Sequence, residues 1–168
     1  MSDGTKRIII RVFIHAAMLA VIYVLQSMVF SRLRIFGIAP LILPLAVIGV
    51  GLFEGPTWGG AVGLAAGVIS DTALFGAPVL FTILLTGIGM GVGLASSYLL
   101  SRGFPSFLFC SVIALFGIAF FQMFGLLVYL GESPLALFRV AVLQTTYSLF
   151  FLLPIYYLTR YLGRRAAR

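Results

Sequence analysis

The sequence predicts an all-α integral membrane protein, a polytopic bundle of six transmembrane helices. Of the 168 residues, 62% are hydrophobic and only 9% are charged, and the mean hydropathy is +1.19. The uncharged runs are long enough for helices that cross a hydrocarbon layer of roughly 30 Å, which takes about 20 residues. These runs are apolar on all sides, whereas the strands of a membrane β-barrel alternate between apolar and polar faces, so we set a barrel aside.

Six apolar runs, separated by short links, define the expected elements in order. The predicted spans are residues 8–30, 35–53, 57–74, 78–100, 104–130 and 137–161, and together they form a single membrane domain over residues 1–168. The first run has no small-residue cleavage site at its end, so we expect it to be retained as a helix rather than removed as a signal peptide. Pro40 and Pro44 fall in the second span and predict a kink there, because each proline removes a backbone donor.

The third and fourth spans carry glycine at helical spacing, in GPTWGGAVGLAAGVISD and TGIGMGVGLASS. The third span has Gly55, Gly59, Gly63 and Gly67; in the fourth, Gly87, Gly91 and Ala95 share one face, and Gly89 and Gly93 share the next. Helices in lipid gain little by burying apolar surface, so close backbone approach through small residues becomes the main attraction between them. We therefore expect these two helices at the centre of the bundle, with the glycines either packing inside the protein or docking another membrane protein.

Among the polar residues inside the predicted spans, Asp71, Gln122 and Gln144 are the candidates for a functional role. A carboxylate at the centre of a membrane helix costs roughly 2.5–3.5 kcal/mol on insertion scales, so it points to a role. Asp71 lies near the end of the third span, where it can cap a helix or turn, bind a neighbouring helix, or belong to an ion or substrate path. The two glutamines each need a partner, most simply on a facing helix, and contact with a substrate is the second interpretation.

Basic residues collect near the two ends of the chain and give a net charge of +7. They are Lys6, Arg7 and Arg11, and then Arg160, Arg164, Arg165 and Arg168. In a membrane protein this bias predicts cytoplasmic termini that contact anionic lipid, rather than a nucleic-acid surface. Six spans place both termini on the same side of the membrane.

The sequence offers little for catalysis or metal binding. With one histidine, one cysteine and four carboxylates, it contains no metal-ligand spacing, nucleophile elbow or phosphate loop. We predict no catalytic residue, no metal and no cofactor. His15 is expected to be an interfacial or hydrogen-bonded residue, and Glu54 a solvated residue at an inner turn.

The segment APLILPLAVIGVGLFEGPTWGGAVGLAAGVISD, residues 39–71, joins a proline-bearing helix to a glycine-rich helix that ends in Asp. With a glycine-rich fourth helix and basic ends, this layout resembles the bacterial rod-shape-determining protein MreD family. The resemblance implies a non-catalytic inner-membrane component of the cell-elongation machinery. Its implied partners are the bitopic protein MreC, the actin-like MreB filament, and the RodA glycan polymerase with its penicillin-binding transpeptidase.

Two other functions are left open by the sequence. The MreD family is similar in fold to the S-components of vitamin transporters, which bind a small molecule for uptake, and this is the main alternative. Such a protein would retain a ligand on purification and lose it when Gln122, Gln144 or Asp71 is replaced. A membrane enzyme is the third interpretation, and it would lose activity on conservative replacement of Asp71.

Overall fold

The computed structural model describes residues 3–30, 42–73, 79–98, 103–130 and 134–166. Every element in these residues is a helix. The elements are α1 (Asp3–Val24), continued by a π-helical segment (Leu25–Phe30), α2 (Leu43–Glu54), α3 (Pro56–Ala73), α4 (Leu80–Tyr98), α5 (Phe104–Leu130), α6 (Pro134–Phe150) and α7 (Leu152–Ala166). The all-α prediction is confirmed for the described part of the chain.

Within the described residues, three helices are long and apolar enough to cross a membrane. The segments are Ile8–Met28, Leu80–Tyr98 and Phe104–Phe121, and α2 is apolar but shorter. Only 22% of the first segment is buried inside the protein, so most of its apolar surface faces outward, as lipid-facing helices require. The described fold is all-helical, and these three segments suggest a membrane protein.

The centre of the bundle is α2, whereas the sequence predicted α3 and α4. Every residue from Leu43 to Leu52 is buried, and α2 packs against α1, α3, α4, α5 and α7. By contrast, α3 and α4 each keep an exposed apolar face, with Leu64 51% and Ile83 68% exposed. A helix that is apolar all round fits a fully enclosed position. Glycine spacing locates a close contact between two helices but does not say which helix is surrounded.

The kink predicted at Pro44 is absent, because Pro44 lies in the first turn of α2. The backbone N–H groups of a first helical turn have no intrahelical acceptor, so a proline costs nothing there and its ring favours the helical φ angle. Pro40 lies outside the described residues.

The last predicted span, 137–161, is two helices rather than one. A turn at Phe151 separates α6 from α7, and the Phe151 N–H donates to the Ser148 carbonyl at 3.1 Å. Pro154 explains the break: it has no N–H to donate to the Phe150 carbonyl four residues earlier, and its ring clashes with that carbonyl.

Candidate functional site

The glycines of α3 form the contact with α4. A Cβ atom placed on Gly63 would lie 2.9 Å from the Leu85 carbonyl carbon, and one on Gly67 would lie 2.8 Å from the Thr82 backbone nitrogen. Such distances leave no space for a side chain. The two helices run antiparallel with their backbones touching, a geometry that only glycine permits at these positions.

The same contact extends to α2 and to the turn before α3. A Cβ on Gly59 would lie 2.7 Å from the Gly51 Cα, and one on Gly51 would lie 2.6 Å from the Gly89 carbonyl oxygen. Further along, Gly93 abuts the Pro56 backbone, where an added Cβ would lie 2.5 Å from the proline nitrogen. Helices α2, α3 and α4 therefore form one tightly packed unit, which we call the glycine core.

Three of the predicted glycines have a different environment. Gly87 and Gly91 lie on the outer side of α4, where an added Cβ would meet nothing within 4 Å. Gly55 is the turn residue between α2 and α3, with a φ angle of 95° that favours glycine. Of the two small-residue faces of α4, the structure packs the Gly89 and Gly93 face and leaves the other open.

Asp71 holds the first turn of the following helix. Its Oδ1 accepts a hydrogen bond from the Phe81 N–H at 3.1 Å, and its Oδ2 accepts from the Thr82 N–H at 3.0 Å and the Thr82 hydroxyl at 2.6 Å. Free N–H groups at a helix N-terminus favour an anionic acceptor. The carboxylate is therefore an N-terminal cap of α4, supplied by the end of α3, and its oxygens are occupied by the protein itself.

Between α4 and α5 lies an apolar groove of about 330 Å³. It is lined by Ile88, Gly91, Val92 and Ala95 of α4 and by Phe109, Cys110, Ile113 and Ala114 of α5. Small side chains occur on both walls, so the groove is formed where these residues fail to fill the space between the two helices. We call it the α4–α5 groove. Its lining offers a surface for apolar groups and no charged side chain.

A second polar cluster joins α1 to α2 and α3. The His15 Nε2 and Glu54 Oε1 atoms are 2.9 Å apart, with side chains only 5% and 7% exposed. The Trp58 ring stacks on His15, with 5.2 Å between ring centroids. The expectation that Glu54 is solvated is therefore wrong, because His15 of α1 contacts it and α7 lies beside it, where a Cβ atom added to Gly163 would be 3.8 Å from the Glu54 Cγ.

A second polar link joins the π-helical continuation of α1 to α2. The Gln26 Oε1 accepts a hydrogen bond from the Leu43 N–H at 3.1 Å, at the opposite end of α2 from Glu54. An amide in an otherwise apolar run was the available signal, since such a group needs a partner in lipid. Of the predicted glutamines, Gln144 is half-buried in α6, where its backbone carbonyl accepts a hydrogen bond from the Ser148 hydroxyl at 2.7 Å, and the side chain of Gln122 lies outside the described residues.

Within the described part of the chain, no group of three or more His, Cys, Asp or Glu side chains is placed to hold a metal ion. Cys110 is buried in the α5 wall of the α4–α5 groove, and the glycines of the glycine core pack against backbone atoms of the protein. Comparison with protein families, with curated proteins and with solved structures gives no match to this chain. The geometry of the glycine core, the groove and the polar contacts is thus the basis for assigning a function.

Proposed function

We propose that this chain is a non-catalytic scaffold of the MreD type in the bacterial inner membrane. In this role it determines rod cell shape by linking MreC and MreB to the peptidoglycan synthases, RodA and a penicillin-binding transpeptidase. The observation that carries the proposal is the α4–α5 groove beside the glycine core. We propose that the single transmembrane helix of MreC binds in this groove.

The groove fits a helix for a physical reason. Association of helices in lipid depends on close van der Waals packing, which small residues permit. Gly91 and Ala95 are one helical turn apart on α4, and Ala114 lies on the facing wall. The glycine core behind α4 fixes this wall in place, so a partner helix meets a preformed surface and loses less conformational freedom on binding.

The proposed topology has six membrane crossings with both termini in the cytoplasm. In it, α6 and α7 together form the last crossing, bent at Phe151. The basic ends then lie on the side where positive charge is favoured and contact anionic lipid. Labelling of single cysteines placed near each terminus, from inside and outside spheroplasts, tests this arrangement.

The uptake alternative finds less support in these contacts. A vitamin-binding pocket needs a few convergent polar groups among its apolar walls. The lining of the α4–α5 groove lacks them, and the carboxylate of Asp71 is occupied by the first turn of α4. Mass spectrometry of the purified protein decides the point: a stoichiometric small molecule would favour uptake, and its absence together with round cells on depletion would favour the scaffold.

Replacement of Gly91 by leucine tests the groove directly. We expect the added side chain to fill the groove and reduce co-purification of MreC by about tenfold or more, which corresponds to roughly 1.4 kcal/mol or more of binding free energy. The measurement is capture of MreC by tagged protein from detergent-solubilised membranes.

The matched control is Gly87→Leu, one turn away on the same helix, with equally open surroundings but outside the groove lining. It should leave capture of MreC unchanged. If both variants are present at normal levels in the membrane and capture equal amounts of MreC, the groove is not the binding site for MreC.

A further inference from the structure

Tyr156 of α7 is buried in a cluster of aromatic rings. Rings of α2 and α5 contact it, with centroid distances of 5.7 Å to Phe53, 5.2 Å to Phe104 and 5.5 Å to Phe107. Aromatic rings at these separations and inclined angles attract one another beyond the effect of their buried area. The ring of Tyr156 therefore has a position fixed by two other helices.

The next turn of α7 is fixed against α2 by a backbone contact. Thr159 lies against Gly49, where an added Cβ atom would be 2.6 Å from the Thr159 Cγ2. The Thr159 hydroxyl is buried and donates to the Ile155 carbonyl at 2.9 Å, so it is satisfied within its own helix. The missing side chain of Gly49 thus lets α7 approach α2 closely, and this part of α7 is a rigid support for the side chains on its outer face.

Arg160 extends from this support and is positioned by Tyr156. Its Nη1 donates to the Tyr156 hydroxyl at 3.2 Å, and its guanidinium carbon lies 5.7 Å from the centroid of the Tyr156 ring. The side chain is half-buried, and a guanidinium has further N–H donors for another acceptor. The two carboxylates whose side chains are described, Glu54 and Asp71, bind His15 and the first turn of α4. Neither of them neutralises the charge of Arg160.

The exposed face of α7 changes from apolar to basic along the helix. Leu153, Tyr157 and Tyr161 are exposed, and the basic residues of α7 begin at Arg160. Arg160 follows Tyr157 by three positions, which places both on one face of the helix. Tyrosine is enriched where a helix passes from hydrocarbon to head groups, and an arginine at that depth extends its charged end to the surface. The face therefore matches both parts of a phospholipid, the acyl chain and the phosphate.

We propose that Arg160 binds the phosphate of an anionic phospholipid whose acyl chain packs along Tyr157 and Leu153. The guanidinium presents a planar pair of donors, which suits phosphate oxygens. Tyr156 is a positioning residue: it holds the guanidinium in one orientation, so less conformational freedom is lost on binding. The inference rests on α7 belonging to the proposed last membrane crossing, which cysteine labelling tests separately, and it does not depend on the binding of MreC.

Native mass spectrometry of the purified protein in a neutral detergent tests the site, with phosphatidylglycerol and phosphatidylcholine as probes. We expect the wild type to retain phosphatidylglycerol preferentially. Arg160→Gln should weaken that retention by about fivefold, the effect of one arginine at an anionic lipid surface. The matched control is Arg139→Gln, which removes the same charge from α6 and should behave like the wild type. Equal losses in both variants, or no loss in Arg160→Gln, would contradict the site.

Two conservative variants distinguish a positioned guanidinium from a diffuse positive charge. Arg160→Lys keeps the charge but has no planar fork, and Tyr156→Phe keeps the ring but removes the hydroxyl that contacts Arg160. Both should weaken retention of phosphatidylglycerol and leave retention of phosphatidylcholine unchanged, a loss of selectivity that a folding defect would not produce. Full retention by both variants would overturn the role of the guanidinium, and displacement of the lipid by inorganic phosphate would show that the acyl chain contributes nothing to binding.

Discussion

Leucine in place of Gly63 will prevent the chain from assembling its glycine core. The Gly63 Cα faces the Leu85 backbone, and an added Cβ would lie 2.9 Å from a carbonyl carbon that belongs to a helix and cannot rotate away. The leucine side chain separates α3 from α4, and both helices then lose their contacts with α2. We expect no folded monomer after detergent extraction, measured by size-exclusion chromatography and circular dichroism.

The smaller change, Gly63→Ala, gives a graded result that can be compared with a control on the facing helix. We expect it to lower the free energy of unfolding by about 1–3 kcal/mol, the usual cost of overpacking. Gly87→Ala, where the new methyl group meets nothing within 4 Å, should raise stability by about 0.5–1 kcal/mol because alanine favours the helix. Changes of equal sign and size in unfolding titrations would contradict the backbone contact at Gly63.

The sequence predicted the glycine core in part. The spacing of Gly59, Gly63 and Gly67 predicted a face of close contact, and the structure places that face on α4. For α4 the spacing was ambiguous, because two adjacent faces carry small residues. The choice between them depends on α2, whose Gly51 occupies the space beside Gly59 and Gly89, and that packing joins residues far apart in sequence.

The partner of His15 could not be read from the sequence for a related reason. His15 and Glu54 are 39 positions apart, and a glutamate beside a glycine turn is usually solvated. Its burial follows from the way α1 and α7 close over the turn. Conversely, the break at Phe151 could be read from the sequence, because Pro154 removes a backbone donor inside the predicted span 137–161.

Asp71 completes the contact that the glycines of α3 begin. The two helices are antiparallel, so successive contacts of α3 lie closer and closer to the N-terminus of α4. The contact pairs are Gly59 with Gly89, Gly63 with Leu85, and Gly67 with Thr82. One further turn of α3 brings Asp71 to the free N–H groups of the first turn of α4. The glycines set the distance between the two helices, and the carboxylate fixes how far one slides along the other.

Replacing Asp71 with alanine should lower the free energy of unfolding by about 2–4 kcal/mol, because three hydrogen bonds to a carboxylate are lost and two backbone N–H groups are left without an acceptor. Asp71→Asn keeps one acceptor oxygen and should lose roughly half as much. Thr82→Val removes only the hydroxyl contact, and in a double-mutant cycle with Asp71→Ala its effect should largely vanish, since the shared partner is already gone.

Thr72→Val is the matched control for these measurements. Thr72 is adjacent to Asp71, is exposed, and its hydroxyl donates to the Ile69 carbonyl of its own helix at 2.9 Å. Its replacement should change stability by less than about 0.5 kcal/mol. If Asp71→Ala unfolds at the same denaturant concentration as Thr72→Val, the carboxylate does not stabilise the start of α4. The ion or substrate path would then be the remaining explanation for Asp71. If instead Asp71→Ala unfolds at a much lower denaturant concentration, and the effects of the Asp71 and Thr82 replacements are strongly non-additive, the carboxylate stabilises the fold. The free energy cost of placing it at this depth is then offset by its hydrogen bonds to the N-terminus of α4.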